Sequence, residues 1–207
     1  MAMEVRIDHL SKRYQHGWVL RDLTHEFRNN RIYGIAGRNG SGKSTFLKII
    51  SGLLSPTRGT VSYYREGQSV SRELIYQEVN VAAPYTDLIE EFTLREMIRF
   101  HCRFKPLNGT GPDAWIEMTG LSKAADRTLA FYSSGMKQKV KLALALYSRG
   151  SILILDEPTS NLDENARSWF FDQMERQKGN KTVFIASNEA DDFRLCEEVI
   201  RLDATTL

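Results

Sequence analysis

An α/β fold with a mixed sheet, opened by an antiparallel β-subdomain and interrupted by a helical insertion, is predicted for this 207-residue chain by three observations. Polar and apolar residues alternate near the start, short continuous apolar runs appear late at SILILDEP and KTVFIASN, and helical periodicity dominates the stretch between. Alternation suits strands with one wet face, whereas continuous runs suit strands covered on both faces of a parallel sheet.

Taken in order, VRIDHLSKRY and WVLRDLTHEF read as an antiparallel pair turning around His16 and Gly17. RIYGIAG is a β-branched run ending in glycine, and a helix is expected over residues 43–51, with Phe46, Leu47, Ile49 and Ile50 free to pack. Strands are expected over residues 60–64 and 73–82, joined by the polar, glycine-containing loop REGQSVS. FTLREMIRFHCRF then turns helical, with Thr93 as N-cap, Glu96 at capping-box spacing and Pro106 as the stop. GPDAWIEMTGL and residues 134–148 read as two more helices, so residues 84–149 are expected to form a helical subdomain within a single domain spanning residues 1–207. Parallel-sheet chemistry resumes with SILILDEP, a helix over residues 163–177, and KTVFIASN.

Composition narrows the function. A chain of 23.7 kDa with 42% hydrophobic and 26% charged residues is sized for one large domain. No apolar run approaches the ~18 residues needed to cross a bilayer, and MAMEVRIDHL lacks a signal peptide's apolar centre, so a cytoplasmic location is expected. Cys102 and Cys196 fit no metal-ligand spacing and are read as buried thiols in a reducing compartment. A net charge of +2 gives no argument for nucleic acid, and no direct nucleic-acid partner is expected.

Two motifs carry chemistry. Gly37-Arg38-Asn39-Gly40-Ser41-Gly42-Lys43-Ser44 matches G-x-x-x-x-G-K-[ST] and sits between an expected strand and helix, which predicts a phosphate-loop NTPase core. The glycines let backbone N–H groups point at a phosphate chain, and the following helix adds its positive dipole end. Lys43 is expected to reach the β and γ phosphates, Ser44 to hold Mg²⁺, and Asn39, Ser41 and Thr45 to complete the nucleotide contacts. ILILDEP delivers Asp156 at a strand's carboxyl end, where it would grip Mg²⁺ through a water, and Glu157 is placed to orient the attacking water. Alone, each has a plainer reading: a glycine-rich turn, or a strand ending in two acids before a proline turn.

Together with YSSGM at residues 132–136 and SNLD at 160–163, these motifs resemble the ATP-binding-cassette (ABC) ATPases, the nucleotide-binding subunits of ABC transporters, over nearly the whole chain. YSSGM is similar to the family's LSGGQ signature, which in one subunit closes on the γ-phosphate held by another. Ser133, Gly135 and a helix N-terminus suit an anion without a charged side chain. The resemblance implies ATP and Mg²⁺ as cofactors, Asp163 in a D-loop at the dimer interface, and Tyr14 stacked on adenine. It also implies a homodimer or heterodimer of cassettes driving a separate membrane-spanning permease, peripheral on the inner face of the cell membrane, most like compact bacterial exporters. The alternative is a soluble non-transport ABC ATPase acting on nucleic acid or ribosomes. A generic phosphate-loop kinase would leave YSSGM and SNLD unexplained.

Two positions depart from the family. Counting back from Thr93, its glutamine falls near Ala83 or Pro84, with Gln77 further upstream and expected inside a strand. Its switch histidine appears as Asn188, so hydrolysis is expected to be slow.

Overall fold

The computed structural model describes residues 3–15, 17–107 and 111–202. Strand β1 (Glu4–Tyr14) pairs antiparallel with β2 (Gly17–Phe27), from Val5 opposite Phe27 to Tyr14 opposite Gly17, as the alternation required. His16, at the expected turn, lies outside the described residues. The five residues of β3 (Ile32–Ala36) are all buried, and α1 (Lys43–Ile50) follows with Phe46, Leu47, Ile49 and Ile50 turned inward and Ser51 as its C-cap.

Strand β4 (Arg58–Arg65) pairs with β1, and a short β5 (Gln68–Val70) pairs with β4 inside the stretch expected to be loop. The strand expected over residues 73–82 is only half strand. Arg72–Gln77 forms a 3-10 turn, capped by the Ser71 side chain accepting from the Glu73 N–H, and β6 covers Val79–Ala82. The cap supplies a local hydrogen bond and the turn buries Ile75, so a helical turn replaces ladder pairing there. Gln77 therefore belongs to this turn and not to a strand.

The helices match the periodicity. In α2 (Leu94–Phe104) Thr93 and Glu96 form the reciprocal capping box. α3 (Pro112–Thr119) carries proline in its first turn and ends at Gly120 in the left-handed region. α4 (Ser134–Tyr147) runs to a C-cap at Ser148. Then come β7 (Ile152–Asp156), α5 (Glu164–Gln177) with Asp163 as N-cap, β8 (Thr182–Ser187), and an edge strand β9 (Glu198–Arg201) whose alternating exposure hid it from the search for continuous apolar runs.

Two sheets divide the pairing modes. One is antiparallel, ordered β2-β1-β4-β5; the other is parallel throughout, ordered β6-β7-β8-β3-β9. In one core Phe27 packs edge-on or tilted against Tyr33, Phe46 and Phe184, and Tyr33 stacks on Phe184, while Trp115, Leu142, Leu146 and Phe170 anchor a second core on the helical side. Each such aromatic contributes about 1.5–3 kcal/mol by burial. Cys102 and Cys196 are half-buried, less enclosed than expected, because each sits at the margin of the helical core. Burial pushes the Cys196 thiol up to about 12, which keeps it unreactive. No helix of the described residues is long and apolar enough to cross a membrane.

The register sets up the site. Ala82 pairs with Leu155, Asp156 with Ala186, and Ala36 with Ser187, so the carboxyl ends of β6, β7, β8 and β3 open at one edge of the sheet.

Candidate functional site

The loop from Gly37 to Gly42 joins β3 to α1 at that edge. Gly42 caps α1 with φ +99°, and a Cβ there would stand 2.8 Å from Val19 Cγ1 and 2.9 Å from Leu20 Cδ2. Neither the backbone angle nor the space admits a side chain. The loop and the α1 N-terminus bound a cleft of about 410 Å³, lined by Asn39, Gly40, Gly42, Lys43, Ser44 and Thr45, with Val19 and Pro84 on its sides and Asp156 and Glu157 behind. Ser41 is buried, and the Ser41 N–H bonds the Arg38 carbonyl at 3.0 Å, so Gly37 and Ser41 shape the loop without lining the cleft. Tyr14 stands 45% exposed at the end of β1 under the Lys12 ammonium, outside the lining, where Val19 of β2 is the apolar wall. Gln77 is exposed on its 3-10 turn, donating to the Tyr76 hydroxyl, and Pro84 is the residue of that region that reaches the cleft.

Lys43 is nearly enclosed, and its ammonium donates to Gly37 O at 2.8 Å, Arg38 O at 3.4 Å and Asn188 Oδ1 at 2.9 Å. The Asn188 amide nitrogen donates to Glu157 Oε1 at 2.9 Å and to Asn39 Oδ1 at 2.6 Å. Asn188 is thus a neutral bridge from the loop's cation to the carboxylate behind it. Glu157 itself is held at φ +49°, a left-handed conformation that costs roughly 1–3 kcal/mol in a residue with a Cβ. Three groups fix it there: its N–H bonds Ala186 O at 2.8 Å, and its other oxygen accepts from Ser187 Oγ at 3.1 Å and the Asn188 N–H at 3.3 Å.

Asp156 is buried at the end of β7, and burial raises its pKa, while the Ser44 hydroxyl bonding to it acts the other way. One of its oxygens, Oδ2, has no hydrogen-bond partner among the described residues. A buried carboxylate with a vacant lone pair beside a serine hydroxyl is a hard-oxygen donor set. It fits Mg²⁺, which binds through one or two protein oxygens and completes its shell with water and phosphate. No cluster of three or more His, Cys, Asp or Glu that could hold a metal alone occurs among the described residues.

A second cleft, of about 360 Å³, shares no lining residue with the first. Ser133 caps α4 by accepting from the Met136 N–H at 3.2 Å, and Asp163 caps α5 by accepting from the Ala166 N–H at 2.8 Å. Ser133, Gly135, Asn161 and Asp163 all line it. Gly135 is held by space alone: a Cβ would stand 2.7 Å from the Asn161 carbonyl oxygen, so the two loops meet backbone to backbone. Lys139, which sequence reasoning did not single out, also lines this cleft, its ammonium 4.7 Å from the Trp169 ring centroid. Its spacing on the α4 face, four residues after Gly135, was the signal available in the sequence.

Known proteins resemble the chain over most of its length. The model of the ABC transporter family matches residues 20–160. An uncharacterized ABC transporter ATP-binding protein of Bacillus subtilis, YxlF, is 32% identical over 94% of this chain and 66% of its own length. The phospholipid-transporting ATPase ABCA3 of Rattus norvegicus is 30% identical over 98% of this chain and 12% of its own length. The chain thus spans about an eighth of some curated relatives and about two thirds of others. Among solved structures, the ATP-binding subunit of an ABC transporter superposes with a TM-score of 0.81 at 26% identity, over 95% of this chain and 85% of the other. A dimeric ATP-binding cassette in a post-hydrolysis state with ADP and Pi shares the fold, with a TM-score of 0.82 at 22% identity over 98% of this chain and 97% of the other. With a family match over more than half its length, the chain belongs to the ABC transporter family.

Proposed function

We propose that the chain binds MgATP in the first cleft and hydrolyses it as the ATP-binding subunit of a transporter, two cassettes closing around the nucleotide. The observation that carries this reading is the division of the machinery. Lys43, Ser44, Asp156 and Glu157 stand in one cleft, while Ser133, Gly135 and Asp163 stand in another that shares no residue with it. Each cleft is half of a site, and a second cassette placed head to tail completes both.

In this reading the Gly40–Lys43 backbone and the Lys43 ammonium hold the β and γ phosphates, and Ser44 and Asp156 hold Mg²⁺, which supplies charge neutralisation on the phosphate oxygens. Glu157 orients the attacking water and takes its proton. Asn188 holds Glu157 through one amide hydrogen and donates the other, released from Asn39, to the γ-phosphoryl group, while Lys43 leaves its Oδ1 for the nucleotide. The partner's signature turn offers its serine hydroxyl and helix N-terminus to the γ-phosphate. Tyr14, at the exposed end of β1, stacks on adenine. The protein works at the inner face of the membrane through a membrane-spanning permease. YxlF, by name an ABC transporter ATP-binding protein, supports a transport role, and the Nod factor export ATP-binding protein I of Burkholderia orbicola, 31% identical over 92% of this chain and 64% of its own length, supports the export type.

Calorimetry with Lys43→Ala tests the nucleotide assignment. The variant is expected to keep its fold and lose MgATP binding, because the charge of the triphosphate is left uncompensated inside the loop. Unchanged ATP affinity in a folded variant overturns it.

A further inference from the structure

Among the buried polar atoms without hydrogen-bond partners in the described residues are the Tyr85 hydroxyl and Asp156 Oδ2, beyond the carboxyl ends of β6 and β7. Register brings them to the same corner. Ala82 pairs with Leu155, so Ala83 and Asp156 leave the sheet side by side. The chain then turns at once. The Thr86 N–H bonds Ala83 O at 3.1 Å, and the Thr86 hydroxyl accepts from the Ala83 N–H at 3.1 Å and donates to Ala83 O at 2.7 Å. This doubly closed turn fixes Tyr85 directly after Pro84, the cleft-lining residue that offers no hydrogen-bonding side chain of its own.

From the opposite side, α1 contributes Lys48, whose ammonium lies 4.1 Å from the centroid of the Tyr85 ring. The ring is therefore held by a cation while its hydroxyl has nothing to bond. Burial, and after it the Asp156 carboxylate, raises the pKa of this phenol, which keeps it a neutral O–H donor wherever the protein is folded. A buried donor and a buried acceptor, both vacant in one corner, mark a spot where water or a ligand-borne water completes the bonding.

We propose that Tyr85 is a positioning residue of the nucleotide site, its hydroxyl holding a water of the Mg²⁺ shell beside Asp156. The proposal rests on reading the first cleft as a Mg-nucleotide site. Groups in this outer position orient the inner ligands, and their loss typically lowers metal affinity about 10–100-fold.

The test compares Tyr85→Phe with its parent, both carrying Glu157→Gln to stop turnover, by calorimetric titration of ATP in EDTA and across a Mg²⁺ series. Phenylalanine keeps the ring under Lys48 and removes only a hydroxyl without a partner, so the melting temperature of the free protein should stay the same or rise. ATP affinity in EDTA should agree with the parent within about twofold, while the Mg²⁺ concentration giving half of the metal-dependent gain should rise about tenfold. An unchanged Mg²⁺ midpoint overturns the proposal, as does an equal loss of affinity with and without metal, which would mark a packing role. A parent that binds ATP identically in EDTA and Mg²⁺ also overturns it. A parent that binds no ATP under either condition overturns the nucleotide-site reading itself.

Discussion

Replacing Asn188 by histidine changes a side chain that hydrogen-bonds both Lys43 and Glu157. Asparagine makes three side-chain contacts there: it accepts from Lys43 Nζ and donates to Glu157 Oε1 and Asn39 Oδ1. An imidazole has two nitrogens and can replace at most two of them. What is given up is the asparagine's neutral amide bond, to Asn39 or in its place to the phosphoryl group, worth about 1 kcal/mol; the bond from Lys43 has gone to the nucleotide in either protein, so a protonated ring, which accepts nothing, loses nothing further. In exchange, a ring beside the Glu157 carboxylate can carry positive charge and donate a charge-assisted bond to the phosphoryl oxygens as they gain charge, worth about 1.5–3 kcal/mol. The net gain of about 1 kcal/mol in the transition state corresponds to roughly a fivefold rise in kcat. Phosphate release at saturating MgATP measures it, alongside ATP affinity by calorimetry, which should move little. The histidine variant should also acquire a pH dependence between about 5 and 8 that asparagine cannot supply. A folded variant that binds ATP normally and hydrolyses it no faster across that range refutes the reasoning.

Two further substitutions test the frame. Gly135→Ala sets a methyl against the Asn161 carbonyl at 2.7 Å, so chemical denaturation should show a loss of about 1–3 kcal/mol, and unchanged stability would mean the two loops separate freely. His101, on α2, is held neutral by burial, and secondarily by Lys105, down to about 4, while its ring contacts the Ser148 hydroxyl at 2.6 Å. The unfolded chain takes up a proton at about 6.5, before the folded one does. Stability contributed by the neutral ring is therefore complete above about 6.5 and falls as pH drops toward 4, by about 3 kcal/mol in all. His101→Gln should flatten the melting-temperature profile over that window; parallel profiles for variant and parent would contradict the assignment.

The legible part of the site is the part written contiguously. Residues 37–44 declare their loop because backbone geometry demands glycine at fixed spacing and the strand and helix flank it directly. Asp156 and Glu157 follow from a continuous apolar run ending in acids. What the sequence hid depends on register. The bridge from Asn188 to Glu157 and Asn39 forms because β8 lies between β7 and β3 in the parallel sheet, and the capture of Lys43 closes across the same edge. Gln77 misled because RELIYQ is apolar enough for a strand, yet the Ser71 cap makes a 3-10 turn the better local solution. Strand β9 hid for the opposite reason, since half of its side chains face solvent. Tyr85 carried no motif at all; the pairing of Ala82 with Leu155 is what brings its turn beside Asp156.

The claim that each cleft is half of a site meets its most direct test in the mass of the Glu157→Gln protein by light scattering. With MgATP the account predicts a particle of twice the 23.7 kDa chain mass, reverting to a single chain without nucleotide. Ser133→Arg in the same background, which places bulk and charge in the second cleft, should hold it to a single chain even with ATP bound. A Glu157→Gln protein that binds MgATP and remains a single chain at high concentration, or a double variant that dimerises as readily, contradicts the account.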